Sequence, residues 1–327
     1  MGIMGSIKKI LRPYKEFVNA FVGFMYDLWR FYLYSGWHPN YKNKIKRNYK
    51  SVKMYHSLEK SLSYKLRRRG AGWNTAEELM VLLDDLTDKK ESIGFQDKIA
   101  INVLEEFCRL DKSELAETNS AKIDWLLSEF ERYRIVGGGT VSLSPEYFSA
   151  HALEDPEDFF LSRYTVRDFS EKIVSKKIIE RAITLSMKAP SVCNRQAWHV
   201  YNIINKDKII ELLKFQGGCT GFEHEVPSLL LITIDLKAFD SAGERYQHWI
   251  DGGIFSMSLV LAFHSLGLSS CCLNWSRTAQ ADLKFRKLIN IEPEHSMMLM
   301  LAVGYPKDEI KVCASARRPL DEIYTEK

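Results

Sequence analysis

The sequence predicts an α+β protein with an all-helical amino-terminal region, residues 1–136, a linker, residues 137–154, and an α+β domain, residues 155–327. Three observations predict this. Apolar residues recur at helical spacing throughout the first region. Three consecutive glycines, Gly137 to Gly139, open a stretch with Ser and Pro that is typical of a linker. Beyond it, short apolar segments alternate with helical patterns, so we expect the sheet there.

The amino-terminal region is expected to be a succession of helices. The first carries Phe17, Phe21 and Phe24 at helical spacing and is unusually aromatic. The second ends in three arginines and Gly70, where cations suit a helix carboxyl end and glycine suits its cap. The predicted helices are residues 14–35, 49–69, 75–86, 96–110 and 121–134.

The α+β domain is expected to hold four strands. Residues 228–235 are continuously apolar, as expected for a strand buried on both faces. A helix over 254–266 is apolar on nearly every side, so we expect it to be enclosed all round. The remaining predicted strands are 199–204, 269–273 and 296–303, and the other helices are 175–188, 206–215 and 279–288.

Charge is distributed unevenly along the chain. Residues 1–70 hold 16 Lys and Arg against 3 Asp and Glu, a net charge of +13, which leaves −9 for the remainder of a chain that totals +4. A basic segment with an aromatic helix is typical of a helix in an anionic membrane interface. It is equally typical of a solvated helix face, or of a helix packed on its own domain or on a partner subunit. We expect no nucleic-acid partner.

The spacing of cysteines and histidines indicates the redox compartment and whether a metal site is expected. The 6 cysteines form no Cys-x-x-Cys pair and the 8 histidines no His-x-x-x-His pair, which predicts a reducing cytoplasm and no metal site. The uncharged run at residues 17–26 is well short of the roughly 20 residues that a spanning helix needs. We therefore expect a cytoplasmic protein, with peripheral attachment to an anionic membrane through residues 1–70 as the alternative.

Two short motifs carry the strongest functional signal. Residues 162–169 set Arg163, Thr165 and Arg167 at alternating positions, and a guanidinium is a charged fork suited to phosphate or to an anionic ring edge. Residues 189–198 place Ser, Asn and Gln on a proline-started turn ahead of a strand. Because one helix separates the motifs, we expect both to converge on one ligand with an anionic tail and a polar aromatic body. FMN has that shape.

The same residues carry a family resemblance. Arg-x-Ser/Thr-x-Arg, followed about 25 residues later by Ala-Pro-Ser-x-x-Asn-x-Gln-Pro-Trp, resembles the opening of the nitroreductase-like FMN-dependent oxidoreductases. Residues 251–268, and 303–306 with 316–319, resemble that family's central helix and carboxyl end. The resemblance covers roughly residues 155–325 and implies a mixed, mostly antiparallel sheet flanked by helices. Ala197 in place of Pro, Thr165 in place of the commoner Ser, and the loop at 268–275 depart from the pattern.

The resemblance implies a role for each matched residue. Arg163 and Arg317 would hold the flavin phosphate, and Arg167 would face N1 and the C2 carbonyl, where negative charge collects on reduction. Leu273 and Asn274 would lie beside N5. The implied cofactor-binding residues are Arg163, Tyr164, Thr165, Arg167, Pro190, Ser191, Asn194, Gln196, Leu273, Asn274 and Arg317. No residue has the spacing of a dedicated acid, base or nucleophile, so we predict no catalytic residue and assign the chemistry to the cofactor.

The function implied is an FMN-dependent oxidoreductase that takes hydride from NADH or NADPH and passes electrons to an organic acceptor. Members of the family are homodimers with flavin at the interface. Residues 49–69 resemble an extension found on members encoded among polysaccharide-biosynthesis genes, which implies a role in that process.

Two alternatives stay open. One is a membrane-associated accessory of a glycan assembly system, in which the basic aromatic arm acts through binding. The other is a flavin-fragmenting or dehalogenating member of the superfamily.

Overall fold

The computed structural model of the chain describes residues 3–37, 43–88, 93–111, 114–130 and 135–327. The helices before the sheet are α1 (Ile3–Tyr34), α2 (Lys44–Ser63), α3 (Trp73–Asp88), α4 (Phe95–Leu110), α5 (Glu114–Phe130), α6 (Pro145–Ala150), α7 (Pro156–Leu161) and α8 (Lys176–Ser186). There follow β1 (Trp198–Ile203), α9 (Lys206–Leu213), β2 (Ser228–Asp235), α10 (Gln247–Ser265), β3 (Ser269–Asn274), α11 (Ala279–Leu288) and β4 (His295–Gly304).

The four strands form one sheet in the order β1-β2-β4-β3, with every neighbouring pair antiparallel. A parallel bridge from Thr165 to Ser270 makes the pairing mixed. The predicted α+β class, strand positions and mostly antiparallel sheet are therefore confirmed. All eight residues of β2 are buried, because β2 lies between two strands and under helices on both faces.

The sheet separates two apolar layers. On one face α9 and α11 pack over Leu229, Leu231 and Met300, and on the other α8 and α10 pack over Leu230 and Ile232. The ring of Trp198 stacks on that of Phe255 with centroids 4.8 Å apart, which fixes α10 against the start of β1.

Helices α2 to α5 bury a separate apolar cluster, which includes Leu58, Trp73 and Phe107. The predicted second helix extends too far, because α2 ends at Ser63. Beyond that point Arg67 turns back, donating to an Asp111 carboxylate oxygen at 2.9 Å and to the Ala71 carbonyl at 3.0 Å. The helix ends because Tyr64 has an extended backbone conformation, with φ −78° and ψ 128°.

The glycine-rich segment is fastened to these helices. The Gly139 N–H donates to the Glu59 carboxylate at 3.0 Å, and the Thr140 N–H donates to that of Glu106 at 3.1 Å. Gly138 has φ +75°, and a Cβ there would lie 2.8 Å from Cγ2 of Ile99. Past this point the chain is exposed, and α6 and α7 bury no residue.

A single chain does not enclose α10 all round. Trp249, Ile250, Ile254 and Met257 are 41%, 52%, 38% and 46% exposed, so one side of the helix is uncovered. Of the helices in the described part of the chain, none is long and apolar enough to cross a membrane.

Candidate functional site

The arginine motif lies along the beginning of β3. Thr165 bridges to Ser270, and the Val166 N–H donates to the Ser270 carbonyl at 3.2 Å. At the other side of the motif, the Ser162 hydroxyl contacts Nε2 of His264 at 3.0 Å, near the end of α10. These contacts frame a cavity of about 300 Å³. It is lined by Ser162, Arg163, Tyr164, Val166, His264, Gly267, Leu268, Ser269, Ser270, Ile310 and Val312.

Both motif arginines act on the cysteines of β3. Burial raises the pKa of Cys272, and the charge of Arg163 partly offsets that rise. Burial likewise raises the pKa of Cys271 to about 11, against the charge of Arg167. Arg167 also approaches Sγ of Cys313 to 3.7 Å. Two guanidinium groups therefore lie close to neighbouring residues of one edge strand.

The far end of β3 holds the two residues expected beside N5. Leu273 is buried in the core, whereas Asn274 is exposed. The amide of Gln216 donates to the Asn274 carbonyl at 2.7 Å and to its side-chain oxygen at 3.1 Å, which holds Asn274 in place. At about 3.4 Å per residue, Asn274 lies roughly 13 Å along the strand from Ser270. An extended ligand along β3 could contact both.

The turn from Pro190 to Gln196 is strained and internally bonded. Cys193, Asn194 and Gln196 have φ of +48°, +53° and +50°, a region costly for residues other than glycine. The Ser191 hydroxyl accepts the Gln196 N–H at 3.0 Å, and the Gln196 amide donates to the Asn194 carbonyl at 3.2 Å. Such a conformation persists only where its surroundings fix it.

Two residues that the sequence analysis did not assign anchor this turn. A carboxylate oxygen of Asp251 accepts the Val192 N–H at 3.1 Å. Arg195, which is 3% exposed, donates to the Ala238 carbonyl and to Glu244. Asp251 is part of the segment that resembles the family's central helix, but its partner is not visible in the sequence.

A single chain does not bring the two motifs together. Ser162 contacts His264, whereas the turn is bonded to Asp251. These two α10 residues are 13 positions apart, which is about 20 Å along a helix at 1.5 Å per residue. Convergence of the two motifs on one ligand therefore stays a prediction, and a single chain does not by itself supply it. The helix between the motifs, α8, packs along α10 and carries the chain from one end of the sheet to the other.

Arg317 lies on the exposed segment that follows β4. Val312 lines the 300 Å³ cavity and Cys313 contacts Arg167, but the Arg317 guanidinium donates to the Ser315 carbonyl of its own segment. In the part of the chain that the structure describes, no group of three or more His, Cys, Asp or Glu side chains could hold a metal ion.

Comparison with known proteins finds a family model that matches the part of the chain holding this site. The model of the Nitroreductase family matches residues 161–219 and 214–305. The chain is similar to an Archaeoglobus fulgidus protein provisionally named NADH dehydrogenase/NAD(P)H nitroreductase, with 26% identity over 158 residues, covering 48% of this chain and 88% of the relative. It is also similar to the iodotyrosine deiodinase of Hydra vulgaris, with 24% identity over 208 residues, covering 54% and 75%.

Among solved structures, the FMN-dependent nitroreductase of Clostridium difficile R20291 aligns with a TM-score of 0.45 at 20% identity, covering 52% of this chain and 98% of that one. The family match contains the arginine motif, the Pro190 turn, α10 and β3. Residues 161–305, which hold both motifs, therefore match the model of the Nitroreductase family.

Proposed function

We propose that the protein is an FMN-dependent oxidoreductase that takes hydride from NADH or NADPH and delivers electrons to a small organic acceptor. The observation that carries the proposal is the position of the arginine motif inside the family-matched segment, where Thr165 bridges to Ser270 of β3 and Arg163 lines the adjoining cavity. Arg163 and Arg167 fit FMN, because its phosphate and the ring edge that gains negative charge both favour guanidinium partners.

Each arginine has a distinct task in this proposal. Arg163 lines the cavity at the start of β3 and would hold the phosphate by charge-assisted hydrogen bonds. Arg167 would face the pyrimidine edge of the ring. FMN, when bound, supplies the two-electron chemistry. A fixed positive charge at that edge stabilises the reduced form and raises its potential. Asn274, held by Gln216, would border the ring edge that accepts hydride.

The functional unit in this proposal is a homodimer with flavin at the interface. Within one chain the Pro190 turn lies about 20 Å along α10 from the arginine motif, so a second copy would have to bring its turn to the first copy's arginines. The uncovered apolar side of α10 supports an interface there. So do the exposed apolar residues of the segment before the motif, which include Phe148, Phe160 and Leu161.

Complementation tests the shared site. Arg163→Gln and Asn194→Ala are made in separately tagged copies, which are purified alone and as a mixed dimer. Each variant alone should lose most of its flavin. The mixed dimer should regain one flavin per dimer, because one of its two sites then has both intact halves. A mixed dimer without flavin contradicts the shared site, and wild-type protein that stays colourless after incubation with FMN contradicts the flavin assignment itself.

Reductive dehalogenation is a second candidate, supported by the similarity to the Hydra vulgaris relative named iodotyrosine deiodinase. In that reaction two electrons and a proton replace a carbon–halogen bond by a carbon–hydrogen bond and release halide. Turnover of an iodinated phenol and of a nitroaromatic compound at equal concentration separates the two. Halide release faster than nitro reduction favours the dehalogenase.

A membrane role for α1 is proposed alongside the enzymatic function. The helix presents apolar side chains that are each more than half exposed: Leu11, Tyr14, Phe17, Val18, Phe21, Val22, Phe24, Leu28 and Trp29. Lys8, Lys9, Arg12 and Lys15 precede or interleave with them. An amphipathic basic segment of this kind suits the cytoplasmic surface of an anionic membrane. A place in polysaccharide biosynthesis is proposed on the resemblance of residues 49–69 alone.

Vesicle flotation tests the membrane role. Replacing Phe17, Phe21 and Phe24 by Glu should abolish flotation with vesicles that contain 30% phosphatidylserine. The control carries the same added charge at exposed positions elsewhere, as Thr184→Glu, Gln280→Glu and Asn290→Glu. Equal flotation of both variants, or none by the wild type, would contradict membrane docking through α1.

A further inference from the structure

A small cavity lies between α1 and the family-matched part of the chain. It has a volume of about 110 Å³, several times the ~30 Å³ that a water molecule occupies in the liquid. Its wall includes Tyr26, Asp27 and Arg30 of α1, Trp249 of α10, and Trp275, Arg277, Asp282 and Arg286 at and after the end of β3. Because α1 lies outside the family match, this cavity is a feature of this chain's own extension.

Arg286 adds a buried positive charge to the wall of this cavity. Its side chain is only 10% exposed. Nε donates to a carboxylate oxygen of Asp282 at 2.6 Å, but Nη1 is buried with no hydrogen-bond partner among the described residues. Buried hydrogen-bond donors nearly always have an acceptor. A buried donor of a charged group without an acceptor costs more free energy than a neutral one. The positive charge of Arg286 therefore lies beside the cavity with one donor uncompensated.

The charges around the cavity favour an anion. Three guanidinium groups, those of Arg30, Arg277 and Arg286, face two carboxylates. The Asp282 carboxylate is already engaged, since it accepts from Tyr26 Oη at 2.6 Å and Trp275 Nε1 at 2.7 Å as well as from Arg286. Its oxygens are therefore poor acceptors for further cations or donors.

The two charged residues that α1 contributes to the cavity wall are Asp27 and Arg30. Burial raises the pKa of Asp27, and the nearby Arg30 opposes that rise. Burial and repulsion from Arg286 lower the pKa of Arg30, so these two cations repel each other across the cavity. An anion between them would relieve that repulsion.

The cavity also adjoins the proposed reactive edge of the flavin. Trp275 follows Asn274 directly, and a Cβ on Gly217 would lie 3.4 Å from the Arg277 guanidinium, next to the Gln216 that holds Asn274. Arg277 is exposed and Trp249 is 41% exposed, so they form the solvent side of the cavity.

We propose that this cavity is an anion-binding subsite that takes the carboxylate or phosphate group of the electron acceptor. Anion binding follows from the cavity alone. The assignment of the anion to an acceptor rests on the proposed oxidoreductase function.

Calorimetric titration of the full-length protein tests anion binding. Inorganic phosphate and benzoate are titrated separately at constant ionic strength. The wild type should bind at least one of them, which distinguishes a phosphorylated from a carboxylated ligand. Arg286→Gln and Arg277→Gln should each weaken binding at least tenfold, and Lys287→Gln, an exposed residue on the same helix, should not. Arg277 is exposed, so its variant tests the site even if Arg286→Gln fails to fold.

Absence of binding by the wild type, or equal binding by Arg277→Gln and Lys287→Gln, would overturn the proposal. The link to the acceptor is tested with 4-nitrobenzoate, 4-nitrophenyl phosphate and neutral 4-nitrobenzyl alcohol. The ratio of kcat/KM for the anionic to the neutral acceptor should fall at least tenfold in Arg277→Gln, and an unchanged ratio would sink the acceptor assignment. A flavin spectrum of each preparation shows whether cofactor is bound, so an unchanged ratio in flavin-containing protein is distinguished from failure of the oxidoreductase proposal. The calorimetric titration tests anion binding whether or not flavin is present.

Discussion

Tyr26 of α1 donates its hydroxyl hydrogen to a carboxylate oxygen of Asp282 on α11 at 2.6 Å, across 256 positions of sequence. The bond joins the amino-terminal extension to the family-matched part of the chain. Burial, followed by the bond to Asp282, raises the pKa of Tyr26 to about 12, so the phenol stays a donor at any physiological pH. The same carboxylate orders Trp275 and Arg286, so this contact holds one wall of the proposed anion subsite.

Removing that hydroxyl should destabilise the protein. Tyr26→Phe leaves a buried carboxylate with one donor fewer, and we expect a loss of about 1–3 kcal/mol in the free energy of unfolding. Chemical denaturation measures it. Tyr14→Phe, on the exposed part of the same helix, should change stability by less than about 0.5 kcal/mol. Equal effects of the two variants would mean that α1 is not fastened at Tyr26.

Adjacent glycines of α10 should respond oppositely to alanine. A Cβ on Gly252 would lie 2.5 Å from Sδ of Met298 and 3.1 Å from Cγ1 of Ile234, so Gly252→Ala should cost about 1–3 kcal/mol through overpacking against the sheet. At Gly253 nothing lies within 4 Å of that position. Gly253→Ala should therefore stabilise the monomer helix by up to about 1 kcal/mol. Thermal unfolding compares the two variants, and a loss at Gly253 as large as that at Gly252 would contradict the prediction.

Acid should destabilise the protein through its buried histidines. Burial, and secondarily the charge of Arg30, lower the pKa of His248 to about 4. Burial and His199 likewise lower that of His295 to about 4. The unfolded chain, with histidine pKa near 6.5, therefore binds more protons than the folded chain between these values. The stability that these histidines contribute is complete above pH 6.5 and is lost as pH falls toward 4.

His248→Phe should reduce that loss. Between pH 7 and pH 4.5 the variant should lose about 2 kcal/mol less than the wild type, measured as the difference in unfolding free energy. Burial raises the pKa of Asp235 to about 6, so protonation of this carboxyl stabilises the folded protein as pH falls. Asp235 is present in both proteins, so its contribution cancels in the comparison. His224→Gln, at an exposed position, should follow the wild type. An unchanged slope in His248→Phe would refute the assignment.

Flavin retention should depend on Arg163. Arg163→Gln removes a charge-assisted donor from the cavity, and a loss of about 1.5–3 kcal/mol corresponds to a roughly 10- to 200-fold rise in the Kd for FMN. Equilibrium dialysis with absorbance detection measures it. Arg181→Gln, on the exposed face of α8, serves as the charge-matched control and should bind FMN as the wild type does.

Local patterns were sufficient for the elements of the sheet. The predicted strand 228–235 coincides with β2, because a strand buried on both faces must be apolar at every position. The apolar character of α10 was equally visible, but the sequence left open what covers it. An apolar helix must avoid water, and its sequence does not say whether the covering surface belongs to the same copy.

The sequence by itself determined the resemblance to the family, the four strands with most of the helices, and the residue types at the two motifs. Tertiary structure alone decided that α8 separates those motifs along the length of α10, that carboxylates of α2 and α4 hold the glycine-rich segment, and that Arg286 keeps an unpaired donor beside α1. The physical reason is the distance along the sequence over which each kind of interaction acts. Periodicity and turn chemistry act over a few residues, whereas these contacts join side chains tens to hundreds of positions apart and exist only once the helices have packed.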